Sequence, residues 1–266
     1  MLQITDTHCH IHEKDYPDAK KSIQEAQSVG ITNFICIGTD LESSKIAVQF
    51  SKDHKKEGAF AAIGIHPHEA TEEKVKLNLS RKVWDELEEL AKQPEVVAIG
   101  EFGFDFFYHD PKELTSNQME LARRHLQLAS KLNLPVVLHV RNAFNPFFEL
   151  IRDFPEVSGV IHSFSDQPEI LKRILSLENN FYIGLNGIIT FTNDSGQLQS
   201  AKNVPLERLV LETDAPYLTP TPLRGTINNI KNTLIIAQFL SDLRGEELEK
   251  LCEVTTSNAK RLFKLK

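Results

Sequence analysis

Short apolar runs recur along the chain, and each is followed by a polar or amphipathic segment long enough to form a helix. Strands that alternate with helices predict right-handed βαβ units and a parallel sheet. Eight strands is the number found in a (β/α)8 TIM barrel, the α/β fold that we predict. The runs are Leu2–Thr7, Asn33–Ile37, Ala59–Ile65, Val96–Glu101, Pro135–His139, Gly159–His162, Phe181–Leu185 and Leu209–Glu212.

The intervening segments carry apolar residues at helical spacing. Arg81–Lys92 places Val83, Leu87 and Leu90 on one stripe, which predicts a helix with one buried face. The other predicted helices are Asp15–Gly30, Asn117–Leu132, Gln167–Leu177, Asn229–Leu240 and Glu246–Phe263. Because no linker or composition break interrupts this alternation, residues 1–266 are predicted to form a single domain.

An open doubly wound sheet is the alternative fold. That fold would place a glycine-rich phosphate loop after the first strand, but His8, Cys9 and His10 stand there instead. Alternate residues of a strand share a face, so the two imidazoles are predicted to lie side by side. Alone, such a pair is compatible with a solvated strand end or with half of a metal site.

Four other predicted strands also end at or just before residues of types that bind metal ions. The carboxyl ends of barrel strands share one mouth, where barrel enzymes build their active sites. Six residues are therefore predicted to bind metal: His8, His10, Glu101, His139, His162 and Asp214. Six ligands exceed the needs of one tetrahedral zinc with an open position, which favours two ions bridged by Glu101. The nitrogen and oxygen donors suit Zn²⁺ or Mn²⁺, whereas Mg²⁺ is less well matched to four imidazoles.

Three nearby residues are candidates for supporting roles. His66 follows the third strand and is predicted to bind substrate, although a histidine beside proline can also be structural. Asp105 is placed to orient a ligand histidine. Arg141, two residues after His139, could hold a phosphate in a bidentate manner or form a surface ion pair.

Composition narrows the function classes. The net charge of −7 argues against broad electrostatic coating of duplex DNA, so a nucleic-acid substrate would have to be held locally. Cys9, Cys36 and Cys252 are odd in number and without CxxC spacing, which argues against disulfides and zinc knuckles. The chain opens without a signal-peptide pattern and carries no membrane-length apolar run, and we expect a cytoplasmic protein without a membrane or obligate protein partner.

The chain resembles the TatD family of metal-dependent deoxyribonucleases, within the amidohydrolase-like metal barrels. The ordered motifs that carry this resemblance span nearly the whole chain, and together they are specific. They are Asp6–His10, Ile63–Pro67, Ile99–Asp105, Pro135–Arg141, His162–Ser165 and Glu212–Leu218.

The resemblance implies that His8, His10, Glu101 and Asp214 surround one metal ion. Glu101, His139 and His162 then surround the other. It also implies hydrolysis of phosphodiester bonds in DNA, often from a strand end. We therefore expect an exonuclease that acts on ends or single strands, with two divalent metal ions (Zn, Mn or Mg) as cofactors.

In that mechanism Asp214 accepts a proton from the attacking water, Glu101 bridges the ions, and Arg141 and Arg224 steady the phosphate. The loop Arg224–Ile230 departs from the family pattern, since two cations, an acid and a proline are missing. Asn142 likewise replaces a common acid and Asp166 a common glycine.

Because of these departures, two other functions are alternatives to DNA hydrolysis. One is a metal-dependent acyl-ester hydrolase, such as a D-aminoacyl-tRNA deacylase. The other is a non-catalytic metal-binding barrel, since a fold alone does not establish activity.

Overall fold

Eight parallel strands form one sheet in chain order, each paired with the next along the chain. The computed structural model describes residues 2–107 and 111–265. Strands β1 to β8 are Ile4–Cys9, Ile31–Ile37, Ala59–Ile63, Val96–Asp105, Val136–Arg141, Gly159–His162, Phe181–Leu185 and Leu209–Leu211. The predicted TIM barrel is confirmed.

Helices alternate with these strands. Helices α1 to α10 are Ala19–Ser28, Leu41–Asp53, Glu72–Asn78, Arg81–Ala91, Pro111–Leu132, Phe144–Ile151, Pro168–Leu175, Ser195–Asn203, Thr233–Arg244 and Leu248–Phe263. The sequence pattern does not predict α2, α3, α6 or α8. In α2 the reason is visible, because Ser43, Ser44 and Ser51 occupy its buried face and interrupt the apolar stripe. None of the described helices has the length and apolarity needed to cross a membrane.

The barrel closes between β8 and β1 through backbone contacts just beyond β8. The amide of Asp214 donates to the carbonyl of His8 at 2.8 Å, and the amide of His10 donates to Ala215 at 2.6 Å. The buried Asp6 carboxylate reinforces this seam, since it accepts hydrogen bonds from the Thr213 amide and hydroxyl at 3.0 and 2.6 Å. The first and last strands therefore present their metal-binding residue types at one place.

Apolar side chains fill both faces of the sheet. Outward-facing residues pack beneath the helices, while inward-facing ones such as Ile35, Val137 and Val210 form a separate cluster with Leu262 and Phe263 of α10. The packing of Leu262 and Phe263 on this cluster places α10 at the amino-terminal end of the barrel, opposite the mouth at the carboxyl ends of the strands.

Strand β4 continues to Asp105, so the predicted end at Glu101 was wrong. The cause is a β-bulge, because Ile99 pairs with Val136 but Phe102 already pairs with Leu138. The backbone at Gly100 has a φ of 149°, and a Cβ there would lie 2.4 Å from the carbonyl oxygen of Val137. Only glycine fits, and the bulge changes the direction of the following Glu101 side chain, as bulges near active sites often do.

His125 of α5 contacts the segment that follows β3 and also contacts β4. Its Nε2 accepts a hydrogen bond from the Ile65 amide at 2.9 Å, its Nδ1 donates to the Leu121 carbonyl, and its ring stacks on the ring of Phe102. These contacts fix the backbone beside His66 and Glu101. Burial lowers the pKa of His125 to about 4.

This depressed pKa predicts a loss of stability in acid. Unfolded His125 takes up a proton near pH 6.5 but folded His125 only near pH 4, so stability is fully present above pH 6.5 and falls as the pH drops towards 4. Between these two pH values, the free energy of unfolding falls by roughly 1 kcal/mol per pH unit. Urea unfolding of metal-free wild type and His125→Gln at pH 7 and pH 5 measures it. The wild type's stability advantage should shrink at pH 5; an advantage that does not depend on pH would contradict the assignment.

Candidate metal centre

His8 and His10 form the first part of the site. Their Nε2 atoms lie 3.2 Å apart, whereas the Cys9 thiol points away and donates to the Ile35 carbonyl. His10 donates through Nδ1 to the Ile37 carbonyl at 2.9 Å, which leaves its Nε2 directed into the mouth. Both rings are buried, so these nitrogens are shielded from bulk water.

Two carboxylates approach this histidine pair. Asp214 Oδ1 lies 3.5 Å from His8 Nε2 and 3.4 Å from His10 Nε2, and Glu101 Oε2 lies 3.5 Å from His8 Nε2. The other oxygen of Glu101 faces the opposite side, where His139 Nδ1 lies 2.8 Å and His162 Nε2 3.8 Å away. One oxygen of Glu101 therefore approaches His8 and the other approaches His139 and His162, as a carboxylate shared by two ions would.

Buried carboxylates orient His139 and His162 from behind. His139 donates through Nε2 to Asp105 at 2.9 Å, and His162 Nδ1 lies 2.9 Å from Glu212 Oε1. Glu212 also accepts from the Ser163 amide at 2.6 Å. In each ring the remaining nitrogen faces Glu101, the arrangement in which an outer carboxylate fixes the tautomer of a metal-binding histidine.

The electrostatics of the site follow from these pairings. Burial opposes protonation of His139, but hydrogen bonds to Asp105 and Glu101 outweigh it and raise the pKa to about 9. Burial likewise opposes protonation of His162, yet the charges of Glu212 and Glu101 raise its pKa to about 10. Although burial favours the neutral acid, nearby imidazoles hold the pKa of Glu101 well below its usual range. The surrounding carboxylates therefore favour the charged forms of these two imidazoles.

The donor set fits divalent metal ions. Three overlapping groups each have ligand atoms within 4.8 Å of one another, namely His8–His10–Glu101, His8–His162–Asp214 and His66–Glu101–His139. Imidazole nitrogens and carboxylate oxygens are the ligands that zinc and manganese accept. All six residues predicted to bind metal converge here. Their division between two ions stays a prediction.

Two cavities meet at these residues and share His139, Arg141, His162 and Asp214. The first lobe, of about 510 Å³, is also lined by His10, Glu13, Thr39, His66, His68, Glu69, Glu101 and Tyr217. The second lobe, of about 240 Å³, is also lined by Val140, Asn142, Phe144, Ser163, Ser165, Asp166, Ile188 and Leu218. The cluster of ligand atoms therefore lies in the middle of a cleft.

The predicted substrate-binding residues occupy different places. His66 lines the first lobe with Nε2 3.7 Å from Glu101 Oε1, and burial lowers its pKa to about 3. Arg141 lines both lobes, with its guanidinium 3.6 Å from the centre of the Phe107 ring. Arg224 lines neither of these two cavities among the described residues; it donates to the Thr219 carbonyl and lies over Phe191. Its substrate role stays a prediction.

Sequence reasoning missed several supporting residues. Asp6 precedes His8 by two residues, a spacing that puts both side chains on one face of β1, and Glu212 likewise stands two residues before Asp214. That spacing was the available signal. His68 was also missed; its Nε2 lies 3.2 Å from Asp105, which it shares with His139. The predicted orienting role of Asp105 agrees with these contacts.

Comparison with known proteins supports a metal-dependent hydrolase. The model of the family described as TatD related DNase matches residues 5–264. The chain is 32% identical to the uncharacterized metal-dependent hydrolase YabD of Bacillus subtilis, and the match covers 98% of this chain and 99% of that protein. It is 31% identical to the uncharacterized metal-dependent hydrolase YcfH of Escherichia coli K12, and that match covers 98% of this chain and 95% of that protein.

Among solved structures, the TatD homologue YjjV of Escherichia coli K12 superposes with a TM-score of 0.87. It is 29% identical, and the match covers 99% of this chain and 98% of that one. A TatD family hydrolase from Entamoeba histolytica, 22% identical with a TM-score of 0.83 and covering 98% of each chain, shares the fold.

The orienting carboxylates generate a test. Asp105→Asn and Glu212→Gln keep the side-chain size but remove the charge behind His139 and His162. We expect each to weaken binding of Zn²⁺ or Mn²⁺ about 10–100-fold, as measured by competition with a chelating dye. Asp53→Asn serves as the matched control, because the Asp53 carboxylate is exposed and accepts a hydrogen bond from Gln49 on the surface, away from the site. Unchanged affinity in both test variants would refute the orienting role.

Proposed function

This chain belongs to the TatD-related DNase family, and from the geometry of its mouth we propose that it hydrolyses phosphodiester bonds of DNA, acting as an exonuclease on ends or single strands. The observation that carries the proposal is the position of Glu101, with one carboxylate oxygen towards His8 and the other towards His139 and His162. Such an arrangement suits two cations across one phosphodiester.

His8, His10, Glu101 and Asp214 would hold one ion, and Glu101, His139 and His162 the other. When bound, such ions lower the pKa of a water molecule towards neutrality and neutralise charge on the reacting phosphate. The remaining chemistry belongs to side chains of the chain itself.

Asp214 is the proposed proton acceptor. Its carboxylate is 15% exposed, against 4% for Glu101, so of the two it is the better placed to contact a water that enters from the cleft. A carboxylate near the attacking water can take its proton as the new bond to phosphorus forms. Because Asp214 is also held close to His8 and His10, proton acceptance and metal binding are coupled in this residue.

Arg141 and His66 are the proposed contacts to the phosphate. Arg141 lies where the two lobes meet, and its planar guanidinium can donate two parallel hydrogen bonds to phosphate oxygens. His66 stays neutral at physiological pH because its pKa is about 3, so it offers a single hydrogen bond without competing for a proton.

An acyl-ester hydrolase is the second candidate. The observation that favours it is the position of Arg224, which lies against Phe191 rather than in the cleft, in a loop with few cations. Fewer phosphate contacts would suit a substrate that is attacked at a carbonyl. Aminoacyl-RNA incubated with the metal-loaded protein tests this alternative, because release of the free amino acid identifies the broken bond.

The primary test uses end-labelled single-stranded and double-stranded DNA with Zn²⁺, Mn²⁺ or Mg²⁺. We expect shortening from one end, which stops when a chelator removes the ions. Asp214→Asn should abolish turnover while leaving a folded protein. Full activity in a folded, metal-loaded Asp214→Asn variant would rule out its role as the proton acceptor, and a wild type that leaves DNA intact with every ion would overturn the proposed function.

The phosphate contact has a separate test. Arg141→Ala should lower kcat/KM for DNA about 10–100-fold, because a charge-assisted hydrogen bond is worth about 1.5–3 kcal/mol. Arg224→Ala is the matched comparison, and we expect a smaller loss since its guanidinium is engaged outside the two lobes. Equal losses in the two variants would show that the loop moves onto the substrate.

A further inference from the structure

Tyr217 exposes its aromatic ring inside the cleft. It is 60% exposed, whereas most large apolar side chains of the described residues are buried. The ring lines the first lobe, and its centre lies 6.1 Å from that of His10 at an angle of 63°. A flat apolar surface is thus presented to solvent directly beside the predicted metal ligands.

The backbone beneath this ring is firmly held. The Tyr217 amide donates to the Asp214 carbonyl at 2.7 Å, and the Tyr217 carbonyl accepts from Asn228 Nδ2 at 2.6 Å. Asn228 is fully buried and also donates to the Thr213 carbonyl at 2.9 Å. The ring is therefore exposed on a fixed support, which is what a contact surface for a ligand needs in order to avoid the cost of ordering a mobile loop.

One turn connects the ligand cluster to both lobes. Asp214 lies among the predicted ligands, Tyr217 lines the first lobe and Leu218 the second. A substrate whose reacting phosphate sits beside Asp214 would have its neighbouring groups on either side of this turn. The group that enters the first lobe meets the Tyr217 ring.

The charges of the first lobe indicate which group that is. Its walls include the carboxylates of Glu13 and Glu69. Glu69 is paired with Lys74, whereas Glu13 accepts a hydrogen bond from the Ser43 hydroxyl and lies 3.5 Å from the His12 imidazole, without a Lys or Arg partner among the described residues. A phosphate would be repelled beside Glu13, whereas a neutral planar base would not.

We propose that Tyr217 stacks against the nucleobase next to the cleaved phosphate, so that the first lobe is a nucleoside-binding site. This inference rests on the proposed function and adds a base-binding residue to it. In the interior of a duplex each base is covered on both faces by its neighbours, so a base there cannot lie on Tyr217. The base that stacks on Tyr217 therefore belongs to a single strand or to a strand end.

The kinetic test separates stacking from a structural role. Tyr217→Leu removes the aromatic face, whereas Tyr217→Phe keeps it and serves as the control. Each is compared with wild type on a short oligothymidylate and on the same oligomer built from 5,6-dihydrothymidine, whose bases are not aromatic. We expect Tyr217→Leu to lose about 10-fold in kcat/KM on the aromatic substrate and little on the reduced one, with Tyr217→Phe unchanged on both.

A binding measurement distinguishes failure of this inference from failure of the proposed function. Single-stranded DNA ending in 2-aminopurine is titrated into metal-loaded protein, and stacking on Tyr217 should quench its fluorescence in wild type but not in Tyr217→Leu. Cleavage with equal losses on both oligomers, or no difference in quenching, would overturn the stacking role alone. Absence of both cleavage and binding would overturn the nuclease proposal and the stacking role of Tyr217.

Discussion

The structure depends on the balance of charge among several imidazoles and carboxylates that lie close together in one buried mouth. The rings of His8 and His162 stack with their centres 3.4 Å apart, and His8 Nε2 lies 3.2 Å from His10 Nε2. Such proximity is costly for like dipoles and charges unless cations or protons neutralise the carboxylates between them. The bulge at Gly100 and the seam at Asp6 hold these groups in place, so much of the upper barrel serves this arrangement. Gly184 contributes too, because any side chain there would collide with Glu212.

Metal binding and substrate recognition are joined through the backbone that follows β8. That segment begins at the barrel seam, supplies Asp214 and then contributes Tyr217 to the first lobe and Leu218 to the second. Asn228 ties it to the loop that departs from the family pattern. Changes in the loop can therefore alter how a substrate is held while leaving the ligand cluster intact. This organisation agrees with the general rule that barrel enzymes vary their loops around a constant scaffold.

Much of this could be predicted from the sequence because the barrel obeys local rules. Alternation of apolar runs with amphipathic segments predicts eight parallel strands, and the position of His139 or His162 at a strand end places it at the mouth. The sequence predicts that Glu101 lies at the mouth but does not predict the bulge that places it there, because the bulge depends on pairing with Val136 and Leu138 in another strand. The partnership of Glu212 with His162 depends on the packing of two strands that are distant in sequence. The contact of Arg224 could not be predicted either, because its guanidinium lies on the ring of Phe191, which is distant in the sequence.

We propose that Glu101 stands between two metal ions in one cluster. Anomalous diffraction from crystals grown with Mn²⁺ or Zn²⁺, recorded on both sides of the metal's absorption edge, locates such ions. We expect two anomalous peaks, one beside His8 and His10 and the other beside His139 and His162, with a Glu101 oxygen on each. A single peak at full occupancy, or peaks that do not contact Glu101, would contradict it.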